Sequence, residues 1–387
     1  MVSHLFASEY QMLMPSDVLG DLPRRYRTVV LLLVDGFGWR HFVQMAERVS
    51  LFRRVLREGV VSKLTALFPS TTAAHMTCLH TGQTPSQSGV YEWFQYHPEL
   101  DRIIAPLLFS FAGDKGRNTL SEARLVPADV FPSETIYQHL KRAGVQATLF
   151  HPSWLSSSLP ARALAESARS LHYDTLAEGL VNLRRAVEEE CQLSYFVLYY
   201  GGVDGLGHEY GPAAEQVLAE LDHFCVAVER YLLEPLRSHD LLLIVTADHG
   251  MAEVNPQRTI YLNQTLASFN SYISVNRYGE PLVPAGSPRD LFLHIKPELL
   301  DEAQSVLTEH LRGKAIVVKT AELIAAGFFG TSPSARFLAR VGNLVVLPFI
   351  GESVYYHADG KFEMRYLGHH GGLTREEMEI PLLMCAL

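Results

Sequence analysis

Apolar residues in this chain fall into short unbroken runs, separated by stretches where they recur every three or four positions. Val29-Val30-Leu31-Leu32-Leu33-Val34 and Leu241-Leu242-Leu243-Ile244-Val245 contain no polar position. Runs of that length read as strands buried on both faces of a parallel sheet. The same reading predicts strands over Thr28 to Val34, Ala147 to Phe150, Tyr195 to Tyr200 and Leu241 to Thr246. Between them, Pro132-Ser133-Glu134 opens a helix that runs to Arg142 and stops at Gly144, with turn residues placed as helix ends require. Leu164, Leu171, Leu176, Leu180, Leu183 and Ala186 keep helical spacing, and a further amphipathic helix spans about Pro212 to Leu233. Strand-helix alternation predicts an α/β fold: a mainly parallel central sheet with helices on both faces.

From Tyr261 to Arg336 the pattern changes. Strands predicted at Tyr272 to Val275 and Leu291 to Ile295 flank a Gly/Pro-rich connection, followed by a helix from Pro297 to Leu311 and a strand at Ile316 to Lys319. The expected organisation is a core of residues 1–260 and 337–387, interrupted by a small α+β lid at 261–336.

Composition narrows the functions open to such a fold. With 48% hydrophobic residues the 387-residue chain can bury a large core, and 42 acidic against 33 basic residues give a formal charge of -9. That balance disfavours duplex nucleic acid or an anionic membrane as a partner. No apolar run approaches the roughly 20 residues of a transmembrane helix. Met1 to Tyr26 lacks a basic head followed by an apolar stretch, and Cys78, Cys191, Cys225 and Cys385 show no CxxC spacing. A cytoplasmic protein with free thiols is expected.

The chemistry-bearing residues sit where the runs end. Asp35 closes the first, and Asp248-His249 follows the run from Leu241. Ligands bind at the carboxyl ends of strands in open α/β sheets, and carboxylates crowded there repel one another unless cations neutralise them. Asp204-Gly205-Leu206-Gly207-His208 places an Asp and a His four apart, expected on a tight loop after a strand. Alone, either pair reads as a surface pair or a capping turn. Ser70-Thr71-Thr72 precedes a helix running to Gly82, and such tracts usually only cap. A hydroxyl there also meets free N–H groups and the positive end of the helix dipole, which favour an alkoxide and a phosphate. Gly368-His369-His370-Gly371-Gly372 supplies a late histidine pair. Mixed Asp and His ligands suit zinc first, manganese or iron next.

In this order, Leu33-Val34-Asp35-Gly36, Pro69-Ser70-Thr71-Thr72 with Thr81-Gly82, Asp204 through Pro212, Thr246 through Met251, and His370-Gly371-Gly372 resemble the alkaline phosphatase superfamily, most closely its type I phosphodiesterase/nucleotide pyrophosphatase family. The resemblance spans nearly the whole chain and departs at Ser88-Gly89, where the family commonly shows His-Gly. It implies two divalent metal ions, one held by Asp204, His208 and His370 and the other by Asp35, Asp248, His249 and the Thr72 oxygen. Thr72, ten residues before Gly82, takes the nucleophile position and would pass through a phospho-threonine intermediate. His75 is a candidate for binding the phosphoryl oxygen where charge builds. The implied substrate is a small phosphate ester, with nucleotides among the candidates. The run Tyr91 to Tyr96 is either core or a stacking surface for a flat leaving group. No Arg or Lys lies within ten residues after Thr72, which tilts the reading to diesters over the alternatives of a phosphomonoesterase or phosphomutase. Thr72 argues against a sulfatase, and a metal-stabilised binding scaffold is the non-enzymatic alternative.

Overall fold

The computed structural model describes residues 17–237 and 239–387, so most of the segment read for a leader lies outside the described residues. Seven strands form the central sheet: β1 (Thr28–Val34), β2 (Val60–Thr65), β3 (Gln146–Pro152), β4 (Arg169–Tyr173), β5 (Ser194–Tyr200), β6 (Leu241–Thr246) and β7 (Glu379–Ala386). Their order is β2-β7-β6-β1-β5-β3-β4. β1 pairs in parallel with β5 and β6, β3 in parallel with β5 and β4, and β7 runs antiparallel to both β2 and β6. The sheet is mainly parallel, as expected.

Alternate residues of β1 serve opposite faces. Val30, Leu32 and Val34 join a cluster with Phe37, Phe52, Leu180, Leu221 and Phe224, while Val29 and Leu31 join Tyr137, Leu140, Tyr195 and Val197. Burial on both sides is why the runs Val29 to Val34 and Leu241 to Val245 carry no polar position. The helices that matter below are α1 (Thr72–Thr81), α2 (Ile136–Arg142), α3 (Leu176–Glu189), α4 (Gly202–Tyr210) and α5 (Glu215–Val228). α2 starts later than Pro132 because Thr135 and Gln138 form a capping box there. The helical spacing noted from Leu164 onward spans three elements, since Leu159–Leu164 is a short helix, Arg169–Tyr173 is the edge strand β4 and only Leu176–Glu189 is the long helix.

A second, four-stranded antiparallel sheet has the order Ala285–Ser287, Asp290–Leu293, Leu344–Pro348, Ala315–Lys319. Its core gathers Leu262, Leu291, Leu293, Leu307, Leu344, Val346 and Phe362. Leu344–Pro348 pairs between the two strands expected from sequence, so a boundary at 336 cuts through this sheet. The unit runs on to the Val354–Tyr355 strand, which pairs with Ile260–Tyr261. Tyr272 to Val275 makes isolated bridges rather than a strand.

Candidate metal centre

Every sequence-predicted ligand arrives at one edge of the central sheet. Asp35 directly follows β1, Asp248 and His249 follow β6, and α4 begins just after β5. β7 runs antiparallel and starts at Glu379, opposite Thr65 at the end of β2, so the loop before it reaches the same edge with His370. Asp204 and His208 sit on α4 rather than on the expected loop. Four apart on a helix they share a face, which achieves the same convergence.

Two groups result. Asp204, His208 and His370 form one, with His208 Nε2 3.4 Å and His370 Nε2 3.7 Å from Asp204 Oδ1. Asp35, Asp248 and His249 form the other, with His249 Nε2 3.3 Å from Asp35 Oδ1 and 3.4 Å from Asp248 Oδ2. The groups abut: the His249 and His370 rings stack with centroids 3.6 Å apart.

The donor chemistry fits divalent cations. Each of the three histidines gives its Nδ1 proton to a backbone carbonyl: His208 to Gly368 O (2.8 Å), His249 to Gly250 O (2.9 Å) and His370 to Ser70 O (2.9 Å). Nε2 is thereby left unprotonated, with its lone pair aimed into the site. Facing these lone pairs, Asp35 Oδ1, Asp204 Oδ1 and Asp248 Oδ2 are buried without a hydrogen-bond partner. Lone pair against lone pair in a buried site is unfavourable unless a cation stands between them. Burial, then the charges of Asp248 and Asp204, push the Asp35 carboxyl well above its ordinary value. Burial, then the neighbouring His249, drives the His370 imidazole well below its own. Asp248 is further oriented by N–H donors from His249 (2.9 Å) and Gly36 (3.3 Å), and Asp35 accepts the Tyr199 hydroxyl. Tyr199 lies within a predicted strand, and nothing in its sequence context marks it for this role.

Thr72 is the first residue of α1, and its hydroxyl lies 3.1 Å from His249 Nε2. Thr71, the preceding cap position, makes no side-chain cap bond, and its buried Oγ1 has no partner. His75 does not enter the cleft. Its Nδ1 donates to Thr71 O (2.9 Å) and its Nε2 accepts the Leu67 N–H (2.7 Å). With both ring nitrogens used and burial lowering its pKa to about 4, the ring braces the loop that carries Thr72 instead of binding a phosphoryl oxygen. His369 lines the cleft, its Nδ1 accepting the His370 N–H.

Two cavities meet at Thr72 and Asp204, with Trp93 lining both. The larger, about 520 Å³, is walled by the small sheet's unit through Ser287, Tyr355, Lys361 and Arg365. The other, about 300 Å³, is lined by Met76, Leu107, Leu155 and Leu164, with Arg117 over the Trp154 ring at 5.2 Å. The run from Tyr91 therefore divides: Tyr91 is core, and Trp93 faces the cleft. Cations absent from the sequence neighbourhood of Thr72 reach the cavities from distant loops as Arg117, Lys361 and Arg365.

A mainly parallel sheet with paired Asp/His groups and a helix-borne threonine at its carboxyl edge is the arrangement of an alkaline phosphatase-like fold. The family model for type I phosphodiesterase / nucleotide pyrophosphatase matches residues 29–373, and the chain belongs to that family. Ectonucleotide pyrophosphatase/phosphodiesterase family member 7 of Rattus norvegicus is 27% identical over 258 residues, 63% of this chain. The chain covers 54% of that relative's length. Murine ectonucleotide pyrophosphatase/phosphodiesterase 5 superposes with a TM-score of 0.67 at 19% identity, over 92% of this chain and 87% of that one. An inactive variant of the same murine protein has been solved in complex with AMP. Phosphonoacetate hydrolase from Sinorhizobium meliloti 1021, in complex with phosphonoformate, superposes with a TM-score of 0.65 at 15% identity, covering 93% and 90% of the two chains.

Proposed function

We propose that this protein is a two-metal phosphoric ester hydrolase, acting as a phosphodiesterase or nucleotide pyrophosphatase through a covalent intermediate on Thr72. The observation that carries the reading is the Thr72 hydroxyl, 3.1 Å from His249 Nε2 and at the start of α1. It stands beside two donor groups whose lone pairs have no protons between them. Bound divalent ions would supply the charge that lowers the pKa of a hydroxyl and offsets negative charge on the reacting phosphoryl oxygens. Asp204, His208 and His370 would hold one ion; Asp35, Asp248 and His249 would hold the other, with the Thr72 oxygen. Their mixed nitrogen and oxygen donors suit zinc, with manganese or iron next.

Within this site Thr72 Oγ1 attacks phosphorus and displaces the leaving oxygen in line, and water then releases the product from Thr72. The free N–H groups of the first turn of α1 point to where charge develops on the phosphoryl oxygens. Trp93 and the apolar cavity beyond it suit a flat or apolar group esterified to phosphorus. The AMP held by the murine neighbour supports a nucleotide in that place. Arg117, Lys361 and Arg365 favour a second reading, a phosphomonoesterase, because a doubly charged phosphate needs cationic donors. Assaying zinc-loaded protein on nitrophenyl monoesters, nitrophenyl diesters and dinucleotides separates the two: the diesters should show the higher kcat/KM, and a preference for monoesters reverses the assignment. The four unpaired cysteines support a cytoplasmic location, where thiols stay reduced.

A further inference from the structure

The largest fully buried side chain among the described residues is Arg289, in the tight turn between the first two strands of the small sheet. It forms a bidentate pair with the equally buried Glu377: Nε to Oε1 at 3.0 Å and Nη2 to Oε2 at 2.9 Å. Both partners lie directly behind the metal centre. Glu377 Oε1 also accepts the Gly372 N–H (3.0 Å), two residues beyond His370, and the Glu377 carbonyl accepts the Gly250 N–H (2.8 Å), next to His249. One residue thus fastens the loops bearing a ligand from each group.

The small sheet's unit grips the His370 loop a second time. Ser287 Oγ donates to His370 O (3.0 Å) and accepts the Arg289 N–H (3.1 Å). Gly371, at φ +126°, lies so close that a Cβ there would stand 2.5 Å from both Ser287 Oγ and Asp290 Oδ1. The unit is therefore more than a wall of the substrate cleft.

We propose that the Arg289–Glu377 pair is a positioning device, through which docking of the small sheet's unit sets the geometry, and hence the affinity, of both metal sites. The inference rests on the two-metal reading above. Groups that orient ligands from behind typically contribute 10–100-fold in metal affinity, so Arg289→Met should weaken binding in that range at both sites. Replacing a buried ion pair with apolar residues of similar size often restores stability. Arg289→Met/Glu377→Met should consequently recover the melting temperature while metal affinity stays weak, because Gly372 N–H has lost its acceptor.

Zinc dissociation constants from chelator competition, with cobalt absorption spectra as a readout of ligand geometry, test this on the full chain. The control is Arg340→Met: Arg340 is also buried and ties Gly89 and Val130, but touches no ligand loop. Arg340→Met should lower the melting temperature and leave zinc affinity within about twofold of wild type. Equal weakening by Arg289→Met and Arg340→Met, or affinity restored together with stability in the double variant, would overturn the proposal. If Arg289→Met does not fold, Ser287→Ala removes the hydroxyl shared by the His370 carbonyl, Asp290 and the Arg289 N–H while leaving the buried pair's own bonds in place: a several-fold loss of zinc affinity supports the device, and none refutes it. Wild-type protein that binds no zinc would instead refute the two-metal reading itself.

Discussion

Stripping and restoring the metal should move the melting temperature by an amount that can be worked out beforehand. Without cations, the Nε2 lone pairs of three histidines face three unpartnered carboxylate oxygens, and folding must hold them together. Ligands that bind only the folded state stabilise it by about 2.7 kcal/mol per site when present at 100 times the dissociation constant. Two sites give roughly 5 kcal/mol. Unfolding entropies of about 2.1 cal/mol/K per residue correspond to about 0.8 kcal/mol/K for a chain of this length. Zinc should therefore raise the melting temperature by about 6–7 °C over chelator-treated protein, in calorimetry or dye-based melts. Magnesium, which prefers oxygen ligands, should do far less. Melting curves that coincide within about 1 °C with and without zinc would refute the reasoning, because the donor groups would then be content without a cation.

Two further outcomes follow from groups beside the centre. Burial pushes the Glu92 carboxyl up to about 8, so the folded protein holds a proton there that the unfolded chain releases near 4.5. Its contribution to stability is fully present below about 4.5 and is lost as pH rises through about 8. Glu92→Gln should accordingly gain stability relative to wild type between pH 5 and 9; urea denaturation across that range showing parallel curves would contradict the assignment. Trp93→Ala should raise KM several-fold for nitrophenyl or nucleotide esters and change kcat much less, since Trp93 lines both cavities while making no bond to a ligand. Steady-state kinetics showing a pure kcat loss would place Trp93 in the reacting machinery instead.

The legible part of the site was the part fixed by local pattern. Asp35, Asp248 and His249 follow strands buried on both faces, and such strands announce themselves as unbroken apolar runs. β2, β4 and β7 escaped because two are edge strands with half-exposed faces and β7 carries Pro381 among its apolar residues. Asp204 and His208 were assigned to the site but to a loop, because Gly205 and Gly207 lower helix propensity. The fold explains Gly207 by proximity: a Cβ there would come 2.7 Å from the Met251 sulfur. The extent of the small sheet was misjudged because Leu344–Pro348 pairs with strands fixed by tertiary contact rather than by its neighbours in sequence. Arg289 and Glu377 gave no signal for the same reason. His75 misled in the opposite direction, since adjacency to Thr72 in sequence does not reveal that both ring nitrogens are occupied by backbone partners.

The central claim is that Thr72 becomes covalently attached to phosphorus during turnover. Zinc-loaded protein mixed with a nitrophenyl diester, quenched in acid within the first turnover and mapped by peptide mass spectrometry, tests it directly. The account predicts a phosphoryl adduct on the peptide containing Thr72, located at Thr72. It predicts no adduct and no turnover in Thr72→Ala, which should still bind zinc, and near-normal behaviour in Thr71→Ala. Full turnover by Thr72→Ala, or an adduct at Thr71 in the wild-type protein, would contradict it.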